Sequence, residues 1–174
     1  MKPLELSHPL AISGAATPNE VLAKMSQEGH ALALVTGERS VLSVVTAQQL
    51  GSLESPNDPL ADQLPALPPP VVIDTPVLDA KDIAEVAGML ARGGAAAAVV
   101  LDRDEIQGVV TVRTIAAMLS LEVTVAERLV GTPNVPTRTY RCATCGAQRR
   151  PRSGSEAPTC PLDWSHGQMQ PAEP

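Results

Sequence analysis

The sequence predicts an α+β fold in which two copies of a β-α-β-β-α unit pack on each other, with a small C-terminal module appended. Three observations carry this. Met25, Gly29, Ala31 and Val35 match Met89, Gly93, Ala95 and Val99, each pair 64 positions apart. After a one-residue gap, Ser43-Val44-Val45-Thr46 matches Gly108-Val109-Val110-Thr111 at a spacing of 65. All three cysteines of the 174-residue chain lie beyond both copies. A repeated unit usually cannot bury its apolar face alone, so internal repetition argues for copies stacked on each other.

The second copy is the clearer. Val71-Val72-Ile73 reads as a strand. Ile83, Val86, Ala87 and Leu90 recur at the i, i+3, i+4, i+7 spacing of one helix face, and Gly93-Gly94 stops that helix. A small-apolar run from Ala95 to Leu101 follows, then the turn Asp102-Arg103-Asp104-Glu105, the strand Ile106–Thr111 and a helix from Val112 to Leu119. Ala95–Ala98 is poor strand sequence by propensity, and a continued helix competes there. The double glycine and the match to Ala31–Val35 favour the strand. Thr124-Val125-Ala126-Glu127 reads as a capping box for a further helix to Val130, with Gly131 as its stop and a linker to Arg138.

The first copy opens with the strand Leu10-Ala11-Ile12. Thr17 caps the next helix, Pro18 fits its first position, and Glu20 completes a capping box. That helix runs to Glu28 and stops at Gly29; against Thr75–Met89 it is shorter by roughly a turn and a half. Strands follow at Ala31–Val35 and Val41–Val45, and Thr46-Ala47-Gln48-Gln49 caps a short helix to Leu53. Prolines 56, 59, 65, 68, 69 and 70 make residues 51–70 an extended linker, with room for one helical turn at Pro59–Leu64 capped by Asp58. The expected units are therefore 1–57, the first copy with its lead-in, 58–131, the second copy with a preceding linker turn and trailing helix, and 138–170, the cysteine module.

Composition narrows the function. Phe is absent and there is one Trp and one Tyr, so the core is aliphatic and stacking platforms for single-stranded nucleic acid are scarce. Residues 1–137 carry 8 Lys+Arg against 16 Asp+Glu, and residues 138–174 carry 5 against 3, so the charge changes sign at the module boundary. No apolar run approaches the roughly 20 residues that span a bilayer, and the N-terminus has no basic region leading into a long apolar core. An odd number of cysteines suits a reducing compartment and a metal site better than a disulfide framework. The expected location is the cytoplasm.

The two copies resemble CBS domains, the paired modules named after cystathionine β-synthase, over roughly residues 8–130. The resemblance rests on the helix-to-strand passages Met25–Val35 and Met89–Val99, and above all on Ser43–Thr46 and Gly108–Thr111, each opening a helix. Family members usually show Gly-hydrophobic-hydrophobic-Thr-x-x-Asp there. The resemblance implies a pseudo-two-fold pair that commonly dimerises and whose clefts bind AMP, ATP or S-adenosylmethionine. The family's Thr holds phosphate at a helix N-terminus, where anions are favoured, and its Asp holds ribose. Thr46 and Thr111 keep the hydroxyl, but the Asp positions are Gln49 and Thr114. Losing that carboxylate costs about 1–3 kcal/mol, or one to two decades in affinity. Thr46 and Thr111 acting only as helix caps is the competing role. Of the two clefts, the one at Thr111 is favoured for a ligand, with Arg113 available to phosphate.

Cys142-Ala143-Thr144-Cys145-Gly146 is a zinc-knuckle signature: the C-x2-C spacing lets two thiolates reach one ion, and Gly146 permits the turn that aims backbone N–H groups at them. Cys160 follows, then Asp163 and His166. His166 is the better fourth partner for a thiolate-rich site, and Asp163 competes for the place. A redox dithiol at Cys142 and Cys145 lacks the strand-then-helix context it needs. The module resembles a zinc ribbon appended to a CBS pair, an arrangement associated with prokaryotic proteins. A tail this short depends on its metal for folding free energy.

No nucleophile with a base in motif context, phosphate loop or dinucleotide fingerprint is present, and closed Cys3His coordination leaves no open position for a substrate. The expectation is a non-enzymatic regulatory module: a CBS pair sensing an adenine nucleotide or related ligand, forming a homodimer, with a structural Zn2+ ribbon contacting a protein partner. One alternative is an interaction scaffold whose clefts no longer bind nucleotide. A second is a nucleic-acid-associated protein using Arg138, Arg141, Arg149, Arg150 and Arg152, which the acidic net charge disfavours. His8 and His30 have no ligand spacing and read as surface residues.

Overall fold

The computed structural model describes residues 2–38, 40–75, 77–103, 105–126, 139–151 and 156–172. The chain begins with β1 (Lys2–Pro3) and continues through the first repeat: β2 (Leu10–Ser13), α1 (Pro18–Glu28), β3 (Leu32–Thr36), β4 (Val41–Thr46) and α2 (Ala47–Gly51). A 3-10 helix at Leu60–Ala66 leads into the second repeat: β5 (Val71–Ile73), β6 (Val77–Leu78), α3 (Ala80–Gly93), β7 (Ala97–Asp102), β8 (Glu105–Thr111) and α4 (Val112–Ala126). The module adds β9 (Tyr140–Arg141), β10 (Gln148–Arg150), a 3-10 turn at Trp164–His166 and β11 (Gln170–Pro171).

The two repeats are built alike. In each, a first strand runs parallel to the second, which pairs antiparallel with the third: β2-β3-β4 and β5-β7-β8. The ladders superimpose position for position. Leu32↔Thr46 and Ala33↔Val45 recur as Ala97↔Thr111 and Ala98↔Val110, and the bulge at Val35/Thr36 recurs at Val100/Leu101. All of these are 65 apart, and so are the left-handed helix stops, Gly29 at φ 73° and Gly94 at φ 60°. The 64-residue offset read from Met25 and Met89 is therefore corrected. Gly94, not Gly93, holds the conformation that glycine takes without a Cβ penalty, so Met25 corresponds to Leu90. The helix comparison is corrected with it. α1 has 11 residues and α3 has 14, a difference below one turn, because α3 is capped at Asp79 rather than near Thr75.

Local chemistry sets the helix ends. Thr17 with Glu20, Thr46 with Gln49, and Asp79 with Asp82 each form a reciprocal capping box. α2 stops at Gly51 rather than reaching Leu53. The linker turn forms one residue later than expected, as a 3-10 helix preceded by Pro59 with no side-chain cap from Asp58. The contested Ala95–Ala98 segment turns extended at Ala97, in β7. The expected break after Leu119 does not occur: α4 continues through Thr124, so no capping box opens there, and residues 127–138, including the expected Gly131 stop, lie outside the described residues.

Both faces of each sheet are covered, which is why the strands read as near-continuous apolar runs. Ala33, Val35 and Val45 face Val21, Met25 and Leu50 of the first repeat's helices. Ala98, Val100 and Val110 face Val86, Met89, Leu90 and Ile115 of the second. Leu34, Val44, Val72, Val99 and Val109, on the opposite faces, meet in a third cluster that joins the two sheets.

Two connecting segments cross over. The lead-in precedes the first repeat but packs on the second: β1 pairs with β6, Leu4 enters the second repeat's core, and Ser7 and Val109 exchange backbone hydrogen bonds of 2.8 and 2.9 Å. The linker turn precedes the second repeat but packs on the first, through Leu60 and Leu67. Gly108 lies at φ 150°, and a Cβ there would sit 2.9 Å from the Ser7 carbonyl oxygen. Gly108→Ala is therefore expected to cost about 1–3 kcal/mol and to speed amide exchange at Ser7 and Val109, measured by thermal melting and hydrogen exchange. The matching Ser43 has no such neighbour: it is fully buried and its hydroxyl donates to the Pro68 carbonyl at 2.8 Å.

The cysteine module is part of the second repeat's sheet. β10 runs parallel to β5, pairing Gln148 with Val71 and Arg150 with Ile73, and the sheet becomes β11-β9-β10-β5-β7-β8. Side chains lock this seam. Gln148 donates to the Met89 carbonyl at 2.9 Å, Arg149 Nε contacts Asp74 at 2.9 Å, and Arg150, 3% exposed, pairs with Asp82 and Glu85 of α3.

Candidate functional site

The candidate metal centre is assembled from two loops. β9 delivers the chain to Cys142; Gly146, at φ 74°, turns it back, with the Gly146 N–H on the Cys142 carbonyl at 3.0 Å and the Cys142 N–H on Ala147 at 2.9 Å. β10 then leaves the knuckle. The second loop is closed by the Thr159–Gln168 bridge and by the Cys160 N–H on the Gly167 carbonyl at 3.3 Å. It supplies Cys160 and, from the 3-10 turn, His166.

One ligand atom from each of Cys142, Cys145, Cys160 and His166 lies within 4.8 Å of the others. Cys142 Sγ is 3.8 Å from His166 Nδ1, and Cys145 Sγ is 3.4 Å from Cys160 Sγ. The edges of a tetrahedron with bonds near 2.3 Å are about 3.8 Å, so the donor set fits zinc in kind and in spacing. Asp163 has other work. Its carboxylate accepts from the Ser165 N–H at 2.8 Å, and that bond is the first cause of its lowered pKa; its second oxygen lies 3.9 Å from His166 Nε2. It therefore faces the ring nitrogen turned away from Cys142, the place of a carboxylate that orients a ligating histidine.

The thiols differ. Burial raises Cys142, but the N–H groups of Cys145 and Thr144 and bonds from the other thiols outweigh it and bring its pKa down to about 7. Burial pushes Cys145 up to about 12, with Cys160 and Cys142 adding to the rise against the Ala147 N–H. Three sulfurs crowded together cannot all ionise without a cation between them. Apart from the cysteines, the module's core is small: buried Ala147 and Met169, flanked by Tyr140 and Leu162.

The expected ligand residues of the repeats sit at helix starts. Thr46 Oγ1 accepts from the Gln49 N–H at 3.2 Å, Gln49 Oε1 accepts from the Thr46 N–H at 2.9 Å, and Gln49 Nε2 reaches the Gly94 carbonyl at 3.4 Å. Thr111 Oγ1 accepts from the Thr114 N–H at 3.1 Å and lies 3.1 Å from the Thr114 hydroxyl. Both threonines are thus caps, and Gln49 bridges the repeats. Arg113 is exposed on α4. A small apolar cavity of ≈ 280 Å³ lies between α3 and α4 at Leu90, Gly94, Val112 and Ile115, and neither threonine lines it.

Among the described residues of the arginine cluster, Arg141 is exposed on β9 and the other two are paired. Arg149 and Arg150 are committed to the seam with the second repeat, and Arg138 and Arg152 lie outside the described residues. Sequence reading missed these pairings, as well as the groove described below. Both join residues distant in the chain, and neither leaves a local pattern.

No protein-family model matches the sequence, and no curated protein matches it. Solved structures do. The CBS domain of a bacterial CNNM/CorC family Mg2+ transporter in complex with ATP aligns at TM-score 0.51 and 17% identity over 67% of this chain and 83% of that one. A second structure of the CBS domain of the bacterial CNNM/CorC family Mg2+ transporter aligns at TM-score 0.50 and 21% identity over 67% of this chain and 71% of that one. The soluble part of a magnesium transporter gives TM-score 0.50 and 19% identity over 67% of this chain and 45% of that one. These likenesses establish the fold: a tandem CBS pair, to which the Cys3His cluster adds a zinc-ribbon-like module.

Proposed function

We propose that this chain, having the fold of a CBS pair, is a cytoplasmic regulatory module that senses an adenine nucleotide or a related ligand such as S-adenosylmethionine. The observation that carries the reading is the ATP complex of a CBS neighbour at TM-score 0.51, joined to the Thr111 hydroxyl at the N-terminus of the 15-residue α4. Thr111 and Arg113 would hold phosphate, and Thr114 would stand where the family has its carboxylate. Thr46 and Gln49 form the second, weaker site, because Gln49 already spends its amide on Gly94. Cys142, Cys145, Cys160 and His166 would hold one Zn2+, whose contribution is structural: it neutralises the thiolates and fixes the two loops. The module keeps residues 138–170 as a partner-contact element, and the pair is expected to act as a homodimer rather than as an enzyme.

The test is a calorimetric titration of zinc-loaded protein with AMP, ATP and S-adenosylmethionine. Saturable micromolar binding is expected, weakened about tenfold by Thr111→Ala, the loss of one charge-assisted hydrogen bond. No heat with any of the three would replace the sensor by an interaction scaffold.

A further inference from the structure

A groove of ≈ 1050 Å³ opens where three segments meet: the β3–β4 turn at Glu38, the β7–β8 hairpin at Glu105 and Ile106, and the module loop at Leu162 and Trp164. It lies at the turn ends of β4 and β8, away from Thr46 and Thr111 at their other ends. Its size slightly exceeds the roughly 300–1,000 Å³ of small-molecule pockets. Its walls mix charged and polar residues with exposed apolar side chains. Trp164 is 84% and Ile106 45% accessible, and Trp164 is the chain's single tryptophan. Lone exposed apolar residues are ordinary, but these converge on one groove. Trp164 stands on a turn capped by Asp163 and ending in His166 of the Cys3His cluster.

The charge of the lining selects the occupant. Glu38, Glu105 and Asp163 contribute three carboxylates, and the one cation among the described lining residues, Arg149, has its Nε on Asp74 at 2.9 and 3.2 Å. The described lining repels phosphates and favours cations. An accessible indole beside carboxylates suits an ammonium or guanidinium carried on an aliphatic stem.

We infer that this groove docks a basic, partly apolar peptide segment of a partner protein, with Lys or Arg set against Trp164 and the carboxylates. The inference rests on reading the module as a partner-contact element, but not on nucleotide binding. The groove needs the metal loop in place to form its third wall.

The test is a selection of random displayed peptides of about a dozen residues on immobilised full-length, zinc-loaded protein. Enriched sequences should pair Lys or Arg with an apolar residue and shift the amide signals of residues 36–41, 101–106 and 159–164. Affinity should fall about tenfold or more with Trp164→Ala, and less with Glu38→Gln plus Glu105→Gln, at unchanged zinc content and melting temperature. Selection of acidic or uncharged peptides, or affinity indifferent to Trp164→Ala, overturns the inference. So does ATP shifting these same signals, which makes the groove a nucleotide site, or self-association abolished by Trp164→Ala, which makes the occupant a second copy. The Thr111→Ala titration reads the opposite strand ends, so either proposal can fail while the other stands.

Discussion

Chelating the zinc from the loaded chain is expected to release residues 139–172 from the second repeat while leaving the CBS pair folded. The three aliphatic clusters of the pair contain no residue of the module, whereas the module's own cluster is built on Cys142 and Cys160. Structural zinc supplies roughly 10–16 kcal/mol of apparent binding free energy in peptides of this size, far more than so few buried side chains provide. Hydrogen exchange should show the amides of Cys142, Ala147 and Gln148–Arg150 losing protection together, with those of β3 and β7 retained. Cys160→Ser should do the same without chelator, and metal analysis should fall from one zinc per chain to none. Unchanged protection of β10 after stripping would show that its pairing with β5 suffices.

The second large effect is at Arg150. Its guanidinium is 3% exposed and touches Asp82 and Glu85, themselves at 18% and 13%. Arg150→Met removes the cation and leaves two carboxylates near the start of α3. Breaking a buried pair from one side costs about 3–5 kcal/mol, or roughly 6–20 °C in a chain of this size. Adding Asp82→Asn and Glu85→Gln should recover much of the loss, because the penalty lies in the unpaired charge. Thermal melting of the single and triple variants reads the difference. Acid acts on the same corner. Asp79, capping α3, has its carboxyl held below the ordinary value first by the Asp82 N–H, against burial, with Arg150 nearby. A depressed carboxyl contributes stability that is complete above its unfolded pKa and lost as pH falls through the folded value, so the loss sets in below about pH 4.

What the sequence disclosed was whatever chemistry sits within a few residues. The boxes at Thr17–Glu20 and Thr46–Gln49 were legible because cap and partner are three positions apart, and the knuckle because C-x2-C spacing is itself the chelate geometry. Asp79–Asp82 follows the same spacing, but Thr75 a few residues upstream offers a competing helix start. The glycine pair offered two stops for α3, and only the backbone angle at Gly94 chooses between them. The run through Thr124 looked like a cap, but α4 continues past it to Ala126. His166 and Asp163 were separable only by direction, since one ring nitrogen faces Cys142 and the other Asp163. The β10–β5 pairing was invisible, because a parallel ladder between segments more than seventy residues apart leaves no periodicity.

That ladder has a consequence for solution behaviour. β5 is Val71-Val72-Ile73, each at most 1% exposed, and without β10 it would be the bare outer strand of its sheet. The corresponding outer strand of the first repeat, β2, alternates buried with exposed positions and ends in Ser13. A flat, apolar, uncovered strand recruits other chains edge to edge. β10 covers that edge, and a chain made in zinc-poor conditions is expected to precipitate through its second repeat while the first stays harmless.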